Sequence, residues 1–234
     1  MAAQLITKAM GNELDIFNTF LNWPVFVDAL PMLLKGLWIT IKLGALSIVL
    51  GLIGGLMLAL CRLYGPTYIR GIAIAFIDVF RAIPLLVLLI VIYYALPFIG
   101  VRLTSFTAAT LALTIVSSAY AAEIFRSGIE AVPKGQFEAA RALGLNYFWL
   151  MGDVVLPQAI KIVIPPITSN SINVLKDTAL ASVVAMPDLL KQATQAQALA
   201  ANPTPLIGAA VIYILLLLPL VRLVAVFEKR FAER

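Results

Sequence analysis

The chain has no histidine and a single cysteine, Cys61, among its 234 residues. Without imidazole there is no His-based triad, no imidazole metal site and no haem ligand, and one thiol forms no internal disulfide. Cys61 lies next to the end of an apolar run, where a cysteine packs as a small hydrophobe unless its surroundings stabilise a thiolate. Charge is also scarce, with 12% charged residues against about 25% in soluble domains. A Gly-x-x-x-x-Gly-Lys-Ser/Thr phosphate loop is missing, so the chain is not an ATPase. The net charge of +5 comes with no basic stripe or nucleic-acid motif, which argues against nucleic acid as a partner. No internal repeat at a fixed period is visible, so the inverted repeats of many secondary carriers find no support. The first 30 residues carry Glu13, Asp15 and Asp28 and no continuous apolar stretch. No cleavable signal peptide is expected there.

What the chain does have is apolar surface. It is 62% hydrophobic with a mean hydropathy of +1.01, more than a soluble fold of this length can enclose. It therefore reads as an all-α polytopic membrane protein, a single transmembrane domain over residues 1–234. An apolar run of about 20 residues crosses the bilayer as a helix. Five runs qualify, at about 37–61, 74–99, 104–122, 151–175 and 206–227. Ile83-Pro84 in the second and Pro165-Pro166 in the fourth predict a bend or local unwinding, because proline removes a donor and crowds the preceding turn.

Lysine and arginine counting sets the expected orientation. With the N-terminus outside, the inner side receives Arg62, Arg70, Arg126, Lys134, Arg141, Lys229, Arg230 and Arg234. The outer side receives Lys8, Lys35, Arg102, Lys176 and Lys191. Five spans then leave the C-terminus in the cytoplasm. Residues 123–150 form an inner connection too polar to span. Residues 176–205 form an outer one whose stretches Ala179–Met186 and Leu189–Ala201 are too short to cross, and so lie at the interface or re-enter.

Within the inner connection, Pro133 suits the first turn of a helix and Gly144 the position just past its end. Between them Phe137, Ala140 and Leu143 share a small apolar face. A helix of two to three turns is marginal in water unless something covers that face.

Several residues at membrane depth are polar, and such residues need a partner or a pathway. Asp78 and Arg81 sit three apart and either pair with one another or line a path. Asn170, Asn173 and Asp177 share one helical face, with Lys176 beside them at the outer end. Amides both donate and accept, which suits a zwitterionic solute; they equally serve as hydrogen-bonded contacts between spans. Ser117, Ser118 and Tyr120 line a path or bond locally. Lys42, Lys161 and Arg222 are expected to snorkel or pair. Gly51 and Gly55 predict close helix contact.

Glu138-Ala139-Ala140, Gly144 and Val154-x-Leu156-Pro157 together resemble the EAA loop of membrane subunits of ATP-binding-cassette importers. Glu123-Ile-Phe-Arg126-Ser-Gly128-Ile-Glu130-Ala-Val-Pro133-Lys-Gly135-Gln136 is similar to the branch that imports polar amino acids (histidine, glutamine and glutamate/aspartate types). Phe80-Arg81-Ala-Ile-Pro84-Leu-Leu and Lys176-Asp177-Thr178-Ala-Leu-Ala are similar to segments of the same branch, and the Ile-Pro form at 83–84 looks like its glutamate/aspartate members. The resemblance covers nearly all of the chain from Gly36 onward. It implies a type I importer fold and a permease subunit that moves a polar amino acid by alternating access. It also implies a coupling helix of Phe137, Glu138, Ala139, Ala140, Arg141, Leu143 and Gly144 that docks on a separate ATP-binding subunit holding ATP and magnesium. A second permease chain, identical or related, and an external solute-binding protein are further implied partners. The acidic N-terminal segment and residues 176–205 are the surfaces assigned to that protein. The bacterial inner membrane is the implied location. A secondary transporter or channel is the rival reading, distinguished by transport without an ATPase. A membrane-bound enzyme would need a clustered set of acids, bases or nucleophiles, which is not found.

Overall fold

The computed structural model describes residue 16 and residues 18–232, with side chains up to 226. The acidic Glu13 and Asp15, and the basic Lys8, Lys229, Arg230 and Arg234 of the topology argument, lie outside those described side chains. The described residues form helices and no strand: α1 (Trp23–Tyr64), α2 (Thr67–Ala82), α3 (Leu85–Ile90), α4 (Ser105–Glu130), α5 (Lys134–Ala142), α6 (Leu156–Asp177), α7 (Leu189–Ala200) and α8 (Thr204–Ala232). A helical turn at Tyr147–Trp149 and a π-helical stretch at Leu150–Val155 lead into α6, and a 3-10 segment, Thr178–Val184, follows it.

Helix α1 begins well before the apolar run expected at 37–61. Asn22 caps it through Val25 N, Pro24 occupies its first turn, and it continues for 42 residues. That is about 63 Å of helix, roughly twice the bilayer core. The surplus is not idle. Ala29 and Leu33 pack against Leu189, Ala193 and Ala196 of α7 and Ala209 of α8, so the first third of α1 supports the connection that holds α7.

The second span differs from expectation in form. It starts at Thr67, and α2 runs only 16 residues, about 24 Å. At Ile83-Pro84 the chain turns by 102° into Leu85–Ile99. Among the described residues, four helices are therefore long and apolar enough to cross a membrane, and a fifth crossing requires this broken pair to act as one. The proline bend predicted here is present, and it is a near right angle.

At Pro165-Pro166 the expected unwinding is absent: α6 stays helical across both prolines. The two missing donors would have served the carbonyls of Lys161 and Ile162, both on an exposed part of the helix. Nearby, Thr168 and Ser171 donate to the carbonyls of Ile164 and Ile167 at 2.8 and 2.9 Å. The departure from α geometry sits instead at Leu150–Val155.

Helices α1 and α4 form the spine of the molecule. Their approach depends on glycine: a Cβ at Gly51 would stand 2.5 Å from Ser117 Oγ, and one at Gly55 would stand 2.5 Å from Ala121 Cβ. The close helix contact expected of this pair is what the structure shows. Leu43, Leu88, Leu89, Ala109 and Val184 fill the largest apolar cluster beside it.

Candidate functional site

The cavity between α3, α4 and α6 begins with the break at Ile83-Pro84. That turn brings Leu85 to the wall of a space of about 320 Å³, the lower end of small-molecule sites. Leu113, Val116, Ser117 and Tyr120 line it from α4, and Asn170, Asn173, Val174 and Asp177 from α6. The helical face inferred for Asn170, Asn173 and Asp177 is thus turned into one cavity, together with Ser117 and Tyr120. The amide of Asn170 donates to Ser117 Oγ at 3.4 Å, so this residue both lines the space and joins two helices. Lys176 is not brought to the cavity. It faces a separate groove with Ser169, Ile172 and Val221, which shares only Asn173 with the first.

Asp78 and Arg81 do not pair. Asp78 is exposed and makes no ion pair among the described residues, because Arg81 turns toward α4. Its guanidinium lies over the Tyr120 ring, 5.5 Å from the centroid, and 3.9 Å from Glu123 Oε2. Glu123 is already engaged by Arg62 at 2.9 Å and by Arg126, which also meets Glu130. Three guanidiniums thus face two carboxylates. Arg81, with the longest contact and a side chain 38% exposed, is the least compensated of them. The cavity therefore carries one carboxylate, Asp177, beside amides and hydroxyls; Arg81 is not in its wall and stands against Tyr120, which is. The residues of α4 in this cluster, Glu123, Arg126 and Glu130, follow i, i+3, i+7. Their shared face was legible in the sequence, although their partners on α1 and α2 were not.

The connection between α4 and α6 holds α5 over Lys134–Ala142, with Gly144 at φ +77°. The N–H of Gly144 bonds the carbonyl of Arg141, and that of Leu145 bonds the carbonyl of Ala140. This pair of bonds is a Schellman ending, which demands a left-handed residue at 144 and explains the glycine. The apolar face divides in a way the sequence did not show. Ala140 is buried and Phe137 half-buried against Val132, Leu150, Val155 and Ala159 of the chain itself, whereas Leu143 is 82% exposed. Phe137 thus fastens α5 to the base of α6. Glu138, Ala139, Arg141 and Leu143 remain on the open side.

A family model described as the binding-protein-dependent transport system inner membrane component matches residues 48–233. The chain belongs to that family. Among its relatives, a putative glutamine transport system permease protein of Rickettsia bellii is 37% identical over 207 residues, covering 88% of this chain and 95% of the relative. The arginine transport system permease protein ArtQ of Bacillus subtilis is 40% identical over 200 residues, covering 85% and 91%. Among solved structures, an amino acid ABC transporter described as crystallised with histidines matches with a TM-score of 0.83 and 40% identity, over 87% of this chain and 96% of the other. The MetNI methionine ABC transporter, in an inward-facing form, matches with a TM-score of 0.65 and 23% identity, over 84% and 96%. That second likeness shows the fold alone. The importer permease fold and the membrane character read from the sequence are both shown by these matches, and the chain is a membrane-embedded transport subunit.

Proposed function

We propose that this inner membrane component is the permease of an ATP-driven importer for a polar amino acid. The observation that carries the reading is the cavity of α4 and α6, in which Asn170, Asn173, Asp177, Ser117 and Tyr120 converge. Asp177 at the outer end suits an ammonium, and the poorly compensated Arg81 suits a carboxylate. The amides between them serve either end. The permease relatives and the amino acid transporter of similar fold support the same solute class.

Energy comes from a separate ATP-binding subunit, which holds ATP and magnesium. Its docking surface on this chain is the open side of α5, where Glu138 and Arg141 offer both signs of charge and Leu143 an apolar contact. Phe137, Ala140 and Gly144 shape that surface from beneath. A second permease chain completes the pathway, and an external binding protein delivers solute to the side that carries α7. The chain lies in a bacterial inner membrane with its N-terminus outside and α5 in the cytoplasm. Asp78 and Lys176 lie off the cavity and are assigned to the rims of the path.

The test is an affinity pull-down of the tagged chain from native membranes, with mass spectrometry and an ATPase assay, followed by uptake of labelled glutamine, arginine and glutamate into proteoliposomes. Co-recovery of an ATP-binding-cassette subunit and ATP-dependent uptake support the reading. Recovery of the chain alone with uptake that needs no ATP would make it a secondary carrier.

A further inference from the structure

Asp188 is a carboxylate with none of its surface exposed. It caps the N-terminus of α7, where its Oδ1 accepts the N–H of Lys191 at 3.0 Å. Its other oxygen, Oδ2, has no partner among the described residues. On α8 the hydroxyl of Tyr213 is buried and likewise without a partner. Tyr213 packs against the cluster that contains Leu189, the residue after Asp188. From α1, Thr40 Oγ1 accepts the N–H of Leu189 at 3.1 Å. Gly36 presses closer still, since a Cβ there would stand 2.8 Å from the Asp188 carbonyl oxygen. The start of α7 is thus held between α1 and α8 around two orphaned polar atoms. Buried atoms of this kind are costly to leave unmatched.

We propose that Asp188 and Tyr213 form an acid-sensitive latch: the neutral carboxyl and the phenol are bridged by one buried water, and ionisation of Asp188 loosens the start of α7 by drawing further solvent in. The neutral acid places no charge in a site closed to bulk solvent, and it both donates and accepts. Burial pushes the Asp188 carboxyl up from 3.8 to about 6, against the opposing effect of the backbone N–H groups and of Lys191. A carboxyl with a raised folded pKa stabilises the packed form while protonated. That contribution is complete below its unfolded pKa and is lost as the pH rises through about 6. The titratable groups facing Asp188 are Lys191 on its own helix and Tyr213 on α8; α1 and the 3-10 segment present the hydroxyls of Thr40 and Thr178.

Thr178 directly follows Asp177, at the outer end of the cavity, and is wholly buried. The latch therefore sits between the outer connection and the cavity wall. Its effect on solute entry rests on the importer reading; the latch itself does not.

Hydrogen exchange of the full chain in lipid nanodiscs tests it, reading amides 189–192 against those of α4. After correction for intrinsic exchange, protection in the native chain is expected to rise about tenfold or more between about pH 7.5 and about pH 5. Asp188→Asn keeps the cap and the volume without the titration, and should be equally protected at both values. Tyr213→Phe should lower the protection at the acid value. A native chain with the same protection at both, or a pH dependence that survives Asp188→Asn, would overturn the proposal. If exchange behaves as described while no amino acid is taken up with ATP, the latch stands and the importer reading falls.

Discussion

Gly51 of α1 and Ser117 of α4 meet so closely that a Cβ on the glycine would lie 2.5 Å from the serine hydroxyl oxygen. Ser117 also receives the amide of Asn170 and lines the cavity. Helix contact and cavity wall are therefore the same few atoms. Gly51→Val should force α1 and α4 apart, costing about 1–3 kcal/mol by overpacking and displacing Ser117. Thermal unfolding in detergent would show a lowered midpoint, and Gly71→Val, with nothing within 4 Å, serves as the comparison.

Asn173 separates lining from mere helix contact more cleanly than Asn170, because no side-chain hydrogen bond engages it among the described residues. Asn173→Leu should reduce uptake about tenfold or more while leaving subunit assembly intact, if an amide contact to solute of about 1.5 kcal/mol is lost. Uptake kinetics across several amino acids, beside gel filtration of the assembly, would check this. Unchanged transport of every solute would remove Asn173 from the path.

The open side of α5 makes a separate prediction. Glu138→Arg should abolish co-purification of the ATPase subunit and stimulated ATP hydrolysis, with the fold intact by circular dichroism. Gly144→Ala should act differently, straining a position at φ +77° by about 1–2 kcal/mol. It should weaken docking partially, through a frayed helix end, and a binding titration of the ATPase subunit would distinguish the two.

Glu123 accepts from Arg62 and Arg126 and lies 3.9 Å from Arg81. Glu123→Gln leaves three guanidiniums around one remaining carboxylate, Glu130. Because Arg62, Arg126 and Glu123 are about four-fifths covered, the loss should reach about 2–3 kcal/mol, below the full penalty of a dry ion pair. Unfolding of Glu123→Gln against Arg62→Gln and the double variant would measure the coupling.

Elements whose signal is local are legible in the amino-acid sequence alone. The proline break at 83–84, the glycine ending at 144 and the shared face of Asn170, Asn173 and Asp177 each follow from rules spanning a few residues. What escaped depends on the third dimension. The early start of α1 is set by α7, which covers Ala29 and Leu33. Arg81 ignores Asp78 because α4 offers it Glu123 and Tyr120. The ordinary helix at Pro165-Pro166 reflects carbonyls exposed at the side of α6, and the inward turn of Phe137 reflects the base of that same helix.

The π-helical stretch Leu150–Val155 has a consequence for α6 as a rotating part. From Tyr147 to Val184 the backbone is one helical column of 38 residues, fastened to Phe137 and Ala140 at its foot and bearing Asn170 and Asn173 farther along. A π turn holds one residue more than an α turn, and each residue of α-helix advances the azimuth by about 100°. Leu150–Val155 therefore sets the angular phase of everything beyond it. Shortening the stretch by one residue would turn Asn170 and Asn173 about a quarter-turn relative to Leu150, out of the cavity.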